Sequence, residues 1–360
     1  MDLAATARTA RQYVTTGACR VVEAAVADAS GALGAVRVGD PAAGHPLWTC
    51  ASKSLLAVCV AQLVTRGQLS FTAPVAGFLP ELDTGRWRAV RVGDLLSHSV
   101  PLRHDLAAWS AFCDDDAVLR RLRQAAFTDR PGGVYLRWTN FFLIGQVISR
   151  VTGQDWHGYV RDQVAGPLGL RRTRLDFPPE RVGELERFIR SLAVTSSGSP
   201  GPGSPSARAE APLPADPGPG VRTDRCWAGM SASGPMPELA AVLAALLPGA
   251  RRLGISPAVT AEMTVVRNAD TAAIEENPLQ WGLGVMVDRR IGIPRLSAGT
   301  FGYLGHNGTV AVFADPDLGL SVAVALGGLR SVGLPLALRR AALIQAVLND
   351  TLAVRANAAC

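Results

Sequence analysis

Lysine is almost absent from this chain: of 36 lysine and arginine side chains in 360 residues, one, Lys53, is a lysine. Arginine supplies a permanent charge but cannot release and recover a proton near neutrality, whereas an amine can. Other absences narrow the function. The six cysteines, at positions 19, 50, 59, 113, 226 and 360, have no C-x-x-C spacing and do not cluster with the five histidines, which argues against a zinc site. No metal or other cofactor is expected. Residues 1–14 lack the continuous apolar core of a signal peptide, and no later run is long enough to span a bilayer. A cytoplasmic protein with reduced thiols and no membrane partner is the expectation. Net charge is +6 and the pI about 9.3, yet the arginines fall in scattered pairs such as Arg120-Arg121, Arg171-Arg172, Arg289-Arg290 and Arg339-Arg340. With no basic stripe interleaved with aromatics, the charge reads as a solvated surface that steers an anionic substrate or acidic carrier, not as a nucleic-acid site.

What is present is ample core material, 48% hydrophobic residues, in an order that reads as α+β. Residues 19–40 alternate as two strands joined at Ser30-Gly31, and the apolar run Leu55 to Val64 has helical periodicity with Gly67 after its last turn. Residues 85–99 read as a short helix entering a loop. From 105 to 190 the pattern is mainly helical, with a break at Arg130-Pro131-Gly132-Gly133 and a helix from Phe141 to Thr152. Residues 196–222, rich in proline, glycine and serine, cannot build a core and read as a disordered insertion or a lid. Helices return at 236–247 and 256–263. Strands follow at Leu283–Asp288, Thr309–Ala314 and Leu320–Gly327, then a helix from Leu334 to Leu348. Strands at both ends predict one sheet in which the termini meet. One unit is expected over 1–360, with an α/β lobe of about 1–85 plus 270–360 and a helical lobe of about 86–269.

Lys53 stands three positions after Cys50 where the Leu55 helix begins. In isolation, arginine-favouring codon usage would explain a leftover surface lysine equally well. Its neighbours favour chemistry. Residues three apart share a helix face, and a thiol in the first turn has unpaired backbone N–H groups, the helix dipole and an ammonium beside it, all of which favour the thiolate.

These residues resemble the serine β-lactamase and penicillin-binding-protein superfamily, in particular its class C β-lactamase-like esterase and transacylase branch, over roughly residues 20–350. The family's S-x-S-K is matched by Cys50-Ala51-Ser52-Lys53, and its L-L-T-H-T-S-G-L by Leu95-Leu96-Ser97-His98-Ser99. Pro131-Gly132 through Trp138-Thr139-Asn140 is similar to P-G-x-x-F-x-Y-S-N, and Gly166-Pro167-Leu168-Gly169-Leu170 to a P-L-G-M turn. Ala228-Gly229-Met230-Ser231-Ala232-Ser233 resembles A-G-G-L-x-S-T, and Trp281-Gly282-Leu283-Gly284 resembles Y-G-L-G-W. The last motif, K-T-G or H-x-G, falls at Phe301 to Gly308, where Tyr303-Leu304-Gly305 fits one register and His306-Asn307-Gly308 the other.

The resemblance implies a β-lactamase/transpeptidase-like fold, an antiparallel sheet flanked by helices with a mainly helical inserted lobe. It also implies site roles. Cys50 takes the place of the nucleophilic serine, with Lys53 as base and either Tyr303 or His306 shuttling a proton. Trp138, Asn140, Gly305 and Gly308 would bind substrate, Asn140 by hydrogen bonding. The Cys50 backbone N–H and one on the strand after the last motif would form an oxyanion hole. Trp138 replaces a proton-transferring tyrosine, and its indole N–H only donates, so it is expected to shape an acyl or aromatic pocket. A thiol needs less help from a base than a hydroxyl does, so the two changes are compatible. Thioesters favour amines over water relative to oxyesters. An ATP-independent acyltransferase is therefore expected, taking an acyl group from a small-molecule ester or thioester donor, free or on a carrier protein, to an amine or alcohol in bacterial antibiotic biosynthesis. The alternatives are an esterase, thioesterase or amidase using the same nucleophile, and a non-catalytic ligand-binding relative.

Overall fold

The computed structural model describes residues 1–103, 114–128, 135–136, 138–176, 227–274, 277–287, 293–305, 308–329 and 334–359. The Pro/Gly/Ser-rich stretch 196–222, the break at 130–133, His306, Cys113, Cys226 and Cys360 lie outside the described residues.

Eight strands form one sheet, antiparallel at every pairing, in the order β2-β1-β8-β7-β6-β5-β4-β3. They are β1 (Val21–Asp28), β2 (Gly31–Gly39), β3 (Asn268–Ile274), β4 (Asn277–Trp281), β5 (Met286–Val287), β6 (Phe301–Gly305), β7 (Val310–Asp315) and β8 (Leu320–Gly327). The two ends of the chain meet where β1 pairs with β8, Val21 opposite Gly327 and Ala27 opposite Ser321. β1, small and apolar apart from Glu23, is buried from Val21 to Ala27, which marks a strand covered on both faces. β2 alternates between half-buried and exposed positions, the pattern of an edge strand with one wet face.

The helices are α1 (Ala4–Thr15), α2 (Lys53–Thr65), α3 (Val92–Leu96), α4 (Asp115–Arg123), α5 (Thr139–Thr152), α6 (Trp156–Val160), α7 (Met236–Ala244), α8 (Pro257–Met263) and α9 (Leu336–Ala359). α1 and α9 pack together and on β1, and the Asp350 carboxylate of α9 accepts from the Ala5 and Thr6 amides at 3.1 and 2.8 Å. That carboxylate satisfies orphan donors at the start of α1. α7 covers β1, β8 and β7, and Glu23 of β1 accepts from the Met236 amide at its N-terminus, 3.3 Å. α2 is buried on every side from Lys53 to Leu63, because its apolar residues go all the way round instead of forming a stripe. It runs through the centre of the molecule between α7, α8, α5 and α6.

The pairs β1–β2 and β7–β8 and helices α2, α5, α7 and α8 lie within a few residues of their predicted spans. The expected strand from Leu283 is shorter, because Gly284 at φ +83° and the Gly282 amide bonded to the Val285 carbonyl make residues 282–285 a turn. Cys50 does not lie in the first turn of α2. It sits one step earlier, in a 3-10 turn of Thr49–Ser52, because Thr49 takes a positive φ of 43° and the α-helix starts at Lys53. In a 3-10 turn residues three apart eclipse, so the thiol and the amine still face one way.

Candidate active site

Main-chain pairing brings the distant motifs together. Trp48 donates its backbone N–H to the Ala232 carbonyl at 2.8 Å and its indole N–H to the Gly234 carbonyl at 3.0 Å, so the segment after Met230 lies alongside the approach to Cys50. On the other side β6 ends against the same turn. A side-chain carbon at Gly305 would fall on the Trp48 carbonyl oxygen and within 3.1 Å of both the Ala51 amide nitrogen and Thr49 Oγ1, so only glycine fits. Gly308, at φ +85°, stands two residues before β7, and its carbonyl accepts from Arg340 Nη1 at 2.9 Å.

Cys50 is half-buried, while Cys19 and Cys59 are closed into the core. Burial pushes the Cys59 thiol far up, the behaviour of a structural cysteine. Lys53 is wholly enclosed. Its Nζ donates to the Gly229 carbonyl at 3.2 Å and lies 3.5 Å from the Met230 sulfur and 5.4 Å from the centre of the Phe141 ring. The Cys50 sulfur lies 3.6 Å from that same Met230 sulfur. Thiol, thioether and ammonium thus form a contact chain. Gly229 permits it, because at φ +75° a side-chain carbon there would come within 2.9 Å of both Lys53 Cγ and Phe141 Cβ.

Behind Lys53 lies a buried polar pair. His98 Nδ1 accepts from Asn140 Nδ2 at 2.9 Å, and the imidazole is boxed by the rings of Trp281 at 4.3 Å, Tyr135 at 4.7 Å and Phe141 at 5.9 Å. Burial, reinforced by the Lys53 charge, holds the His98 pKa well below its usual value, so the ring is neutral. With Nδ1 accepting, its proton is on Nε2. Among the described residues Asn140 Oδ1 has no hydrogen bond, which leaves an acceptor within the buried cluster. Tyr303 is also enclosed. It donates its hydroxyl to the Gly284 carbonyl at 2.6 Å, and burial, then the Cys50 charge, hold its pKa well above the usual phenol range. That phenol is fixed as a protonated donor. Trp138, at the start of α5, packs its ring tilted by 53° against Trp227, centroids 5.8 Å apart, at the foot of the Gly229-Met230 turn. The structure therefore gathers Cys50, Lys53, Tyr303, Asn140 and Gly305, and places Trp138 at the margin beside Trp227. Met230 and His98 were not singled out in the sequence. Both lie in quoted motifs, yet neither motif has a spacing that says which member faces the thiol.

The fold agrees with the comparisons. The profile of the family described as Beta-lactamase matches residues 45–346. The chain belongs to the Beta-lactamase family. Among curated members, Esterase EstB of Burkholderia gladioli is 31% identical over 211 residues, 51% of this chain and 52% of that protein, so the chain spans about half the length of this relative. Among solved structures, EstA from Arthrobacter nitroguajacolicus Rue61a superposes with a TM-score of 0.70 at 17% identity, covering 96% of each chain. EstCE1, described as a hydrolase with promiscuous acyltransferase activity, superposes with a TM-score of 0.68 at 17% identity, covering 95% of this chain and 98% of that one. These likenesses establish the Beta-lactamase fold, an eight-stranded antiparallel sheet with helices.

The neutral His98 makes a stability prediction. An unfolded imidazole titrates near 6.5 and the folded one well below, so between those values the unfolded chain binds the extra proton and stability rises with pH. His98's contribution is complete above about pH 6.5 and is lost as pH falls below it. Thermal melts from about pH 8 to about pH 5 should show His98→Asn with a flatter decline than the wild type. Asparagine is the suitable replacement because it tolerates the positive φ of 53° at this position. Parallel declines would show that His98 does not carry the dependence.

Proposed function

We propose that this protein is an ATP-independent acyl-transfer enzyme that carries the acyl group as a thioester on Cys50. The observation that carries the reading is the pairing of a half-buried thiol, set on a strained turn, with an enclosed ammonium three residues on, the Met230 sulfur packing against both. The reacting form of the site pairs a Cys50 thiolate with a Lys53 ammonium. The thiolate attacks the carbonyl carbon of an ester or thioester donor. The tetrahedral intermediate collapses as the alkoxide or thiolate leaves with a proton from Lys53. An amine or alcohol then attacks the acyl-thioester, its proton passes to neutral Lys53, and the Cys50 thiolate leaves. The site returns to its starting charge.

The oxyanion of each intermediate would be held by the Cys50 backbone N–H and one beside Gly305 or Gly308, at the end of β6 and start of β7. Asn140 would offer its Oδ1 to the incoming group. Tyr303 serves as a fixed wall and donor, so His306 is the remaining candidate for a second proton carrier from the last motif. The description of EstCE1 as a hydrolase with acyltransferase activity supports transfer on this fold. With water as acceptor the same chemistry gives an esterase, the activity named for EstB, which favours hydrolysis as the second reading. A natural-product amine is the acceptor class proposed.

The test is the intact mass of the protein after incubation with p-nitrophenyl acetate, followed by peptide mapping. One acetyl adduct on Cys50 is expected, discharged faster by an added amine than by buffer. Absence of an adduct would leave a ligand-binding relative and end both enzymatic readings.

A further inference from the structure

We propose that Met230 is a specificity-determining residue that directs the acyl-thioester toward transfer by keeping hydrolytic water from the ground beside both Cys50 and Lys53. This inference rests on the acyl-thioester reading above. Its basis is the position of one sulfur atom, 3.6 Å from the Cys50 sulfur and 3.5 Å from Lys53 Nζ, in a side chain only 3% exposed. A water poised to attack a thioester on Cys50 and give its proton to Lys53 would need the space that this sulfur fills.

The occupant suits exclusion. A thioether is a weak acceptor and donates nothing, so a water displaced by it gains little by returning. The backbone holds Met230 in place. Its amide donates to the Trp227 carbonyl at 3.0 Å, and the next residue, Ser231, accepts from the Trp227 amide at 2.9 Å and donates to the Leu175 carbonyl. Gly229 is locked between Lys53 and Phe141. Shortening residue 230 would open a space beside the Lys53 ammonium and the Gly229 carbonyl, two of the polar partners an ordered water requires. An amine acceptor depends less on that position, because it attacks a thioester without prior deprotonation, from the open side of the half-buried thiol, and gives up its proton to Lys53 only after the C–N bond has formed.

The experiment isolates the acetyl enzyme formed with p-nitrophenyl acetate and follows loss of the adduct by intact mass, in buffer alone and with hydroxylamine. Met230→Ser is expected to speed hydrolytic loss by about tenfold or more while changing hydroxylamine capture by less than about threefold. Met230→Leu keeps the volume without the sulfur and is expected to stay within about twofold of wild type in both. Met230→Gln, close in length but able to bind water, provides a second reading if the serine variant melts too low. It should also favour hydrolysis. Wild-type hydrolysis rates in the folded serine and glutamine variants, with the adduct formed normally, would overturn the inference and leave the thioester reading intact. Equal acceleration in Met230→Leu would overturn it too. A wild-type protein that takes no adduct on Cys50 would remove the underlying reading, and the inference with it.

Discussion

Lys53→Arg is expected to lower acyl-transfer turnover by about a thousandfold, within the usual contribution of a positioned acid–base group. Arginine preserves the positive charge beside the thiol but does not give up its proton near neutrality, so it can stabilise the Cys50 thiolate without protonating the leaving group or relieving the acceptor of its proton. The two halves of the reaction should separate. Acetylation by p-nitrophenyl acetate, whose leaving group needs no proton, should persist, and discharge to an amine should fail. Lys53→Met removes charge as well and should impair both halves. Because Nζ is enclosed by the Gly229 carbonyl, the Met230 sulfur and the Phe141 ring, melting curves must accompany the kinetics. Turnover by a folded Lys53→Arg protein within about tenfold of wild type would exclude Lys53 as the proton carrier.

Cys50→Ala is expected to abolish the adduct, and Cys50→Ser to lower turnover by about a hundredfold to ten-thousandfold. A serine hydroxyl needs a base to become a nucleophile, and the place where relatives are expected to keep a tyrosine holds Trp138, whose indole N–H only donates. The pair should therefore be coupled. In Cys50→Ser/Trp138→Tyr, turnover should recover by about tenfold over Cys50→Ser, while Trp138→Tyr alone should give no comparable gain. Single-turnover rates of all four proteins complete the cycle. Strict additivity would mean that position 138 only packs against Trp227, 5.8 Å away.

Much of the architecture is legible because it depends on local pattern. Residues 19–40 read as a strand pair, whose first strand the structure buries from Val21 to Ala27, and the apolar run after Lys53 reads as a helix, which the structure encloses on every side. Other elements were illegible for equally local reasons. β6, Phe-Gly-Tyr-Leu-Gly, has glycine at two of its five positions and no apolar run to announce it, although all five residues are buried. α1 has a sparse apolar stripe, Ala10 and Tyr13 with Thr6 between turns, and its N-terminal donors are satisfied by Asp350 from the far end of the chain. No window of sequence contains both partners.

The site divides in the same way. Sequence alone determined that one amine, Lys53, stands three residues after a thiol at a helix start, and that the chain has the ordered motifs of its family, because spacing within one turn is a local property. Tertiary structure decided which side chains surround that pair. It placed the Met230 sulfur in contact with both thiol and ammonium, neutral His98 behind Asn140, and the Tyr303 hydroxyl on the Gly284 carbonyl. The physical reason is that these contacts are made across the sheet and between segments far apart in the chain. A lone lysine can be recognised from composition, but what its proton can reach depends on how distant backbone segments pack.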